Sequence, residues 1–364
     1  MARSTLPGPD YFDANVFATD QERIFRRSWY VAGRAETAPA PGNWFTVDVA
    51  GESILVVRGD DDVLRGFYNV CRHRGARLRD AASGHDKGVI ACGYHAWCYR
   101  FSGELAATPR IGKDELDRES NGLIEVHCDV WEGFVFVNLD PDAPTPLRQW
   151  LGELNSDILG FERWDMGSLR VHSTREWIVE ANWKILIENY LECLHCPTVH
   201  PELVEAVPAY RTGWVYEEGR TDGGVSNTSR FYGSVGSSTI ATLPTMTEVE
   251  AESIYGALFY PHAFLDIAGT GVQLTVITPI GPTTCREVTY FLFHPDAMSA
   301  PDFDPQGVLD FSALVTEQDN AVCEMVQRGV RSAAFRDGGV YPDKDEFVWA
   351  FNQRYLAQRD GVSG

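Results

Sequence analysis

The spacing of hydrophobic residues in the first half of the chain predicts a β domain. From about residue 41 to 140, apolar and polar positions alternate around Gly and Asp turns, as in NWFTVDVAGESILVVRGDDDVLRGFYNV. This alternation is typical of antiparallel hairpins. The short apolar run GFVFVNL at 133–139 indicates a further strand.

Longer helical patterns begin after residue 140. Helical spacing predicts one helix over 175–195, stopped by Pro197, and a second over 311–332. The segments 271–280 and 286–295 are typical of adjacent strands. Pro-rich 140–147 indicates a linker, and Gly/Ser-rich 211–245 indicates a mobile loop.

Together these elements predict an α+β fold with two main domains. An N-terminal antiparallel β domain is inserted beside a larger C-terminal domain, in which helices flank an antiparallel sheet. We expect an N-terminal helical segment at 1–40 that packs on the C-terminal domain. The β domain is expected at 41–145 and the C-terminal domain at 146–364.

The charge and the cysteine content exclude several classes of protein. Of the 364 residues, 52 are acidic and 31 are basic, which gives a net charge of −21. Such a chain repels phosphate backbones and anionic membranes, so we expect neither nucleic acid nor membrane as a partner. Eight cysteines are too sparse for a disulfide scaffold. Without a secretory pattern or a long apolar run, the expected location is cytoplasmic.

A first group of metal-binding residue types lies in the predicted β domain. It consists of Cys71 and His73 and, after eighteen intervening residues, Cys92 and His95. Two Cys and two His suit a structural zinc ion. They equally suit a [2Fe–2S] cluster in which two His replace two Cys on one iron. Zinc sites usually pair Cys with Cys and His with His, whereas each pair here is mixed.

A second group lies at the end of the first predicted helix. Helical spacing places Glu188, Glu192 and His195 on one face, and His200 follows the stop at Pro197. Two His and one carboxylate form the facial triad of non-haem Fe(II) oxygenases, which leaves positions open for O₂. The H-E-x-x-H motif of zinc hydrolases is absent from the sequence.

These two groups together resemble the large subunit of a Rieske non-haem iron oxygenase. The mixed pairs, CRHRG and the Tyr and Trp around the second His carry the first part of the resemblance, and NYLECLHCPTVHP carries the second. The family commonly has Gly before that Trp, and we expect the methyl group of Ala96 to change little. The resemblance implies a helix-grip type catalytic domain, a Rieske [2Fe–2S] cluster and a mononuclear non-haem Fe(II).

The resemblance also implies roles for individual residues. Cys71, His73, Cys92 and His95 correspond to the cluster ligands. His195 and His200 correspond to iron ligands, and a distant Asp completes the family's iron site. Asp319 in TEQDNAVCEMVQRG matches it best, with Glu317 and Glu324 as competitors.

Glu192 occupies the position of an acid that in this family bridges the iron site to a Rieske His of a neighbouring subunit in a ring-shaped homotrimer. Most members have Asp there. A carboxylate can accept an imidazole N–H on each side, which fixes both rings. The chain has no flavin or nicotinamide motif, so a separate flavin/iron–sulfur reductase, or a ferredoxin plus reductase, is expected as partner.

The substrate is the least determined part of the interpretation. CRHRG, NWKILIENYLECLHCPTVHPEL and CEMVQRGVRS most resemble the branch of choline, glycine betaine, stachydrine and carnitine monooxygenases. Oxidative N-demethylation of a quaternary or tertiary amine is therefore expected, with an aromatic cage for the cation. The candidates for that cage are Trp214, Tyr216, Phe231, Tyr232, Tyr255, Phe259, Tyr260 and Phe264. The alternative reaction is hydroxylation or demethylation of an aromatic or other apolar ring compound. Two other classes of protein also remain as alternatives, an electron-carrier Rieske protein and a zinc-stabilised binding module.

Overall fold

The computed structural model describes residues 3–112, 115–154, 156–219, 224–226 and 239–361. Among these residues the α-helices are α1 (Ala14–Asp20), α2 (Leu147–Leu154), α3 (Ser156–Gly160), α4 (Trp183–Tyr190), α5 (Cys196–Val199), α6 (Pro201–Ala206), α7 (Glu248–Ala251), α8 (Pro295–Met298), α9 (Gln306–Gly329) and α10 (Glu346–Asp360).

The strands in the same ranges are β1 (Arg3–Ser4), β2 (Tyr30–Arg34), β3 (Asn43–Val49), β4 (Glu52–Arg58), β5 (Leu64–Tyr68), β6 (Ser83–His85), β7 (Ile90–Ala91), β8 (Cys98–Tyr99), β9 (Leu105–Ala107), β10 (Glu125–Trp131), β11 (Phe134–Asn138), β12 (Arg170–Val179), β13 (Val225–Ser226), β14 (Ser253–Phe259), β15 (Ala263–Ala268), β16 (Gly271–Gly281), β17 (Thr284–Phe293) and β18 (Val340–Tyr341). No described helix is long and apolar enough to cross a membrane.

The chain divides into two compact units, one from Phe25 to Trp150 and one formed by the segments before and after it. In the first unit, the antiparallel order β2-β11-β10-β5-β4-β3-β6 makes a seven-stranded sheet, and β7-β8-β9 makes a three-stranded one. The predicted hairpins at 43–70 and the strand at 133–139 are confirmed.

The start of the β unit differs from the expected segmentation. Residues 1–40 were expected to form a separate N-terminal segment, but β2 pairs with β11 and is a strand of the seven-stranded sheet. Its sequence YVAGR is almost entirely buried, so it contributes apolar residues to this unit. Only the part of that segment up to Ile24 belongs to the other unit.

The second unit contains a six-stranded antiparallel sheet in the order β12-β17-β16-β15-β14-β13. The adjacent strands predicted at 271–280 and 286–295 are β16 and β17, which pair along their length. The long helix predicted at 311–332 is confirmed over 311–329 as part of α9, which ends at Gly329. Helix α4 packs on α9 and on β16, so the two helices lie against this sheet.

The single helix predicted over 175–195 is wrong. Residues up to Val179 form β12, whose alternating exposure reflects pairing with β17 from Arg170 to Val179. A helix begins only after Asn182, whose side chain accepts the Lys184 N–H as an N-cap. The predicted loop at 211–245 lies partly outside the described residues, which omit 220–223 and 227–238.

Candidate metal centres

The four residues of the first group lie on two loops of the same shape. In the first loop, Cys71 N–H donates to the carbonyl five residues ahead (2.8 Å), and the N–H four residues ahead donates to the Cys71 carbonyl (3.0 Å). The second loop repeats both bonds from Cys92, at 2.8 and 3.0 Å. Each loop therefore presents one thiol and one imidazole from a local hydrogen-bonded turn.

Side chains of the two loops meet in like pairs. The thiols of Cys71 and Cys92 lie within hydrogen-bonding reach of each other and are buried in the core of the β unit. His73 Nδ1 and His95 Nδ1 are 3.1 Å apart on half-exposed rings. A [2Fe–2S] cluster with two Cys on one iron and two His on the other needs this segregation of sulfur and nitrogen donors.

The second loop contains a strained residue where the first has glycine. Gly75 adopts φ +71°, and Ala96, at the matching position, adopts φ +56°. Both angles are left-handed, where an L-residue is disfavoured by about 1–2 kcal/mol. The methyl group of Ala96, which was expected to change little, therefore carries a backbone cost that glycine would not have.

In the second unit, His195, His200 and Asp319 converge. One donor atom from each lies within 4.8 Å of the others. Asp319 Oδ1 is 2.8 Å from His200 Nε2 and 3.3 Å from His195 Nε2. Two imidazoles and one carboxylate facing one another are the donor set of a non-haem iron site.

The alternative acids on α9 lie elsewhere. Glu324 Oε1 accepts the Glu180 N–H at 3.2 Å, and Glu317 is exposed. In the part of the chain that the structure describes, Asp319 is the carboxylate of the three that joins the two histidines.

Hydrogen bonds to the far side of each ring orient the two histidines. His195 Nδ1 donates to Glu192 Oε1 at 2.5 Å, and His200 Nδ1 donates to Gln318 Oε1 at 2.7 Å. The Gln318 amide nitrogen in turn donates to Glu202, which fixes the oxygen toward His200. With Nδ1 of each ring held as a donor, Nε2 is the nitrogen that faces Asp319, and it is the atom that would bind a metal ion once deprotonated.

The electrostatics of the triad favour a cation. Burial lowers the pKa of His195, but its hydrogen bonds to Asp319 and Glu192 outweigh burial and raise that pKa to about 9. Burial raises the pKa of Asp319, and its contacts with both histidines outweigh this and lower it. Since the site stabilises positive charge, the donor set suits a divalent metal ion.

The position of Glu192 differs from the expected helical face. Helix α4 ends at Tyr190, and Glu192 lies in the following turn, where its Oε2 accepts the N–H groups of Leu194 and His195. Glu188, expected on the same face, instead accepts the Tyr11 hydroxyl at 2.9 Å. Cys193 and Cys196, on either side of His195 in the sequence, form a disulfide that sequence reasoning did not predict.

Two protein families match the chain. The Rieske [2Fe–2S] domain matches residues 28–126, and the ring hydroxylating alpha subunit catalytic domain matches residues 164–361. The chain belongs to the Rieske oxygenase alpha subunits. It is therefore an iron-dependent oxygenase of the type that carries a Rieske cluster and a mononuclear non-haem iron.

Proteins similar to this oxygenase include quaternary ammonium monooxygenases and a naphthalene dioxygenase. It is 30% identical to the glycine betaine monooxygenase oxygenase subunit of Chromohalobacter salexigens, over 92% of this chain and 81% of that one. A solved quaternary ammonium Rieske monooxygenase that oxidises carnitine is 25% identical, covering 98% of this chain and 96% of that one, with a TM-score of 0.76. Naphthalene 1,2-dioxygenase, 21% identical over 100% of this chain and 93% of that one, shares the fold with a TM-score of 0.77.

The metal triad of the oxygenase opens on a cavity of about 1580 Å³. One wall is the helix-covered face of the sheet, with Leu258, Phe264, Asp266 and Gln273 among its residues. Of the predicted cage residues, Tyr216, Tyr260 and Phe264 line the cavity.

The other described residues that were predicted for the cage do not line the cavity. Tyr255 and Phe259 are packed in the core, and Trp214 contacts Tyr216 instead of the cavity. Phe231 and Tyr232 lie outside the described residues. Sequence reasoning missed Tyr190 and Asp266 on the cavity wall. The single acid in the apolar strand AFLDIA, in phase with Phe264, was the available signal.

Proposed function

We propose that this terminal oxygenase removes an N-methyl group from a quaternary or tertiary amine such as a betaine. One oxygen atom of O₂ enters a methyl C–H bond, and the other leaves as water with two electrons and two protons. The hydroxymethyl group then loses formaldehyde, the C–N electron pair stays on nitrogen, and the hydroxyl proton is released. The observation that carries the proposal is an aromatic-lined cavity beside the metal triad.

In this proposal His195, His200 and Asp319 hold the mononuclear iron, and Cys71, His73, Cys92 and His95 hold the Rieske cluster. These groups supply O₂ activation and single-electron delivery when bound. The protein holds Nδ1 of each imidazole as a hydrogen-bond donor to Glu192 or Gln318, so that Nε2 is the nitrogen that would bind the iron. The cavity walls hold the substrate and exclude bulk water.

Glu192 is proposed to join the two metal sites in a homotrimer. Its Oε1 accepts the His195 ring N–H and retains a second lone pair, whereas Oε2 already accepts two backbone N–H groups. A Rieske His of a neighbouring subunit could donate to the same carboxylate and complete an electron path. We propose that a flavin/iron–sulfur reductase, or a ferredoxin plus reductase, supplies the electrons.

A single-turnover assay tests the substrate. Chemically reduced protein is mixed with O₂ and a panel of glycine betaine, choline, carnitine, stachydrine and methoxylated or methylated aromatics. We expect formaldehyde and loss of one methyl group from a quaternary amine. Product from an aromatic alone would replace this proposal with ring hydroxylation or demethylation, which the fold shared with naphthalene 1,2-dioxygenase also accommodates.

Visible absorption of the purified variants tests the proposed cluster ligands. Replacing Cys71 by Ser or His95 by Ala removes a proposed ligand, so the visible absorption of the Rieske cluster should disappear. Replacing Cys98, a half-buried free cysteine next to the second loop, is the matched control and should leave the absorption intact. Unchanged colour in the Cys71 and His95 variants would exclude these ligands.

A further inference from the structure

Asp266 is a half-buried carboxylate on the cavity wall. On β15 its side chain lies on the same face as Phe264, and its cross-strand neighbours on that face are Gly256 and Gln273. All four residues line the cavity.

The same cavity connects Asp266 with the metal triad. Gln273, beside Asp266, accepts the hydroxyl of Ser312 at 2.7 Å. Ser312 precedes Asp319 by seven residues of α9, which corresponds to about 10 Å along the helix axis. A small molecule that contacts Asp266 therefore lies within the space that also reaches the metal ligands.

Aromatic rings surround this carboxylate. The Tyr190 hydroxyl donates to Asp266 Oδ1 at 3.2 Å, and the Tyr190 ring stacks on Phe264 with centroids 3.9 Å apart. Gly256 makes this approach possible, because a Cβ there would lie 2.8 Å from the Tyr190 hydroxyl. Tyr210 also lines the cavity and is close enough to interact with Asp266 electrostatically.

A comparison with Asp20 shows what Asp266 lacks. Buried Asp20 accepts from the ammonium of Lys184 at 2.6 Å, and also from the Trp183 indole and the Tyr355 hydroxyl. No Lys or Arg within the described ranges forms an ion pair with Asp266, whose hydrogen-bond donor is one tyrosine hydroxyl. Buried charges in proteins are ordinarily paired.

We propose that Asp266, with Tyr190 and Phe264, binds the methylated ammonium group of the substrate. A quaternary ammonium has no N–H donor, so it is recognised by a nearby negative charge and by aromatic rings. Both are present at Asp266, and the cation would supply the missing positive charge. This proposal rests on the proposed function and assigns its specificity to particular residues.

Glu287, a buried acid on the cavity wall, is the weaker candidate. Its Oε2 accepts the Asn320 amide at 2.8 Å, and Asn320 is adjacent to Asp319. Its negative charge therefore acts at the metal triad, where Asp319 already provides a carboxylate.

The test compares a cation with its uncharged isostere. Anaerobic holoenzyme is titrated calorimetrically with glycine betaine and with 3,3-dimethylbutanoate, in which carbon replaces nitrogen. Wild type should prefer the cation by about 30-fold or more, and Asp266→Asn should reduce this preference to within about threefold. Asp266→Glu keeps the charge and should keep most of the preference. Asp310→Asn makes the same chemical change on the exposed side of α9 and should have no effect.

A second measurement needs no change at Asp266 and covers the case in which Asp266→Asn does not fold. Burial raises the pKa of Asp266 to about 7, partly opposed by the Tyr190 hydrogen bond. The facing tyrosines, Tyr190 and Tyr210, have pKa values raised by burial and stay neutral. Affinity for the cation should therefore rise between pH 6 and pH 8, and affinity for the isostere should not. Burial also raises the pKa of Glu287, on the same cavity, to about 7, so Glu287→Gln is titrated beside wild type and should keep this pH dependence.

The outcomes separate this proposal from the proposed function. If Asp266→Asn keeps the wild-type preference, or cation and isostere share one pH profile, Asp266 is not the cation site. Demethylation of a betaine by wild type would in that case leave the proposed function intact. If wild type neither prefers the cation nor demethylates any quaternary amine, both proposals fail.

Discussion

The two candidate metal sites are assembled in opposite ways. Each cluster loop is a local turn that closes its own hydrogen bonds and carries a Cys and a His within four residues. The triad instead takes two histidines from the turns after α4 and an aspartate from α9, 119 residues beyond His200. The first arrangement depends on local backbone geometry, and the second on the packing of helices against a sheet.

This difference predicts that damage to either site stays confined to it. Asp319→Asn should lower the affinity for mononuclear iron by at least about 100-fold and abolish turnover, because a charged ligand becomes a neutral amide. Visible absorption of the Rieske cluster should be unchanged. Metal analysis and absorption spectra of the same sample measure both. Glu317→Gln, two residues away on an exposed part of α9, is the control and should retain its iron.

Retention of iron by Asp319→Asn would show that the triad is assigned incorrectly. Loss of iron from Glu324→Gln would then move the third ligand to that residue. Loss of the cluster from Asp319→Asn would contradict the confinement itself and show that the two sites fold together.

The same difference explains how much could be predicted from sequence. The spacing of Cys71, His73, Cys92 and His95 was visible because each pair is local. Asp319 could be selected among three acids only by resemblance, since its partner histidines are distant in the chain. The helix over 175–195 failed because β12 and α4 are consecutive and both amphipathic, and only the pairing of β12 with β17 separates them. Asp266 was missed because a lone acid in an apolar strand is a signal, but the strand by itself does not show that its face adjoins a cavity.

A residue beside the triad tests whether the two sites work together. Glu192→Ala removes the acceptor for the His195 N–H and the proposed link to a neighbouring subunit. We expect turnover to fall by about 100-fold while the cluster and most of the iron remain bound. The measurement is the rate at which the reduced cluster is reoxidised in a single turnover. Glu192→Gln keeps an acceptor oxygen, so its rate of cluster reoxidation should lie between those of wild type and Glu192→Ala. Near-normal reoxidation in the Ala variant would exclude the bridging role.

The half-buried acid in the cavity should have a measurable effect on stability. Burial raises the pKa of Asp266 to about 7, so the folded protein holds a proton that the unfolded chain releases near pH 4. Wild type therefore loses stability as the pH rises through this range, and Asp266→Asn does not. At pH 8 the variant should be more stable by on the order of 2 kcal/mol, with a smaller difference at pH 5. Urea unfolding at the two pH values measures this. A difference independent of pH would show that Asp266 is not held protonated by burial.

The smallest effect should come from the one place where the two cluster loops differ. Ala96→Gly relieves a left-handed residue at φ +56°, and Gly75→Ala creates one at φ +71°, where an added Cβ meets no atom within 4 Å. We expect Ala96→Gly to stabilise its loop, and Gly75→Ala to destabilise its loop, by about 1 kcal/mol each. The cluster should therefore bleach more slowly in denaturant in Ala96→Gly and faster in Gly75→Ala. Gly93→Ala, without positive φ and with equally open space, should change bleaching little. If Gly75→Ala bleaches no faster than Gly93→Ala, the cluster itself holds the loop, and local backbone preference contributes little to the site.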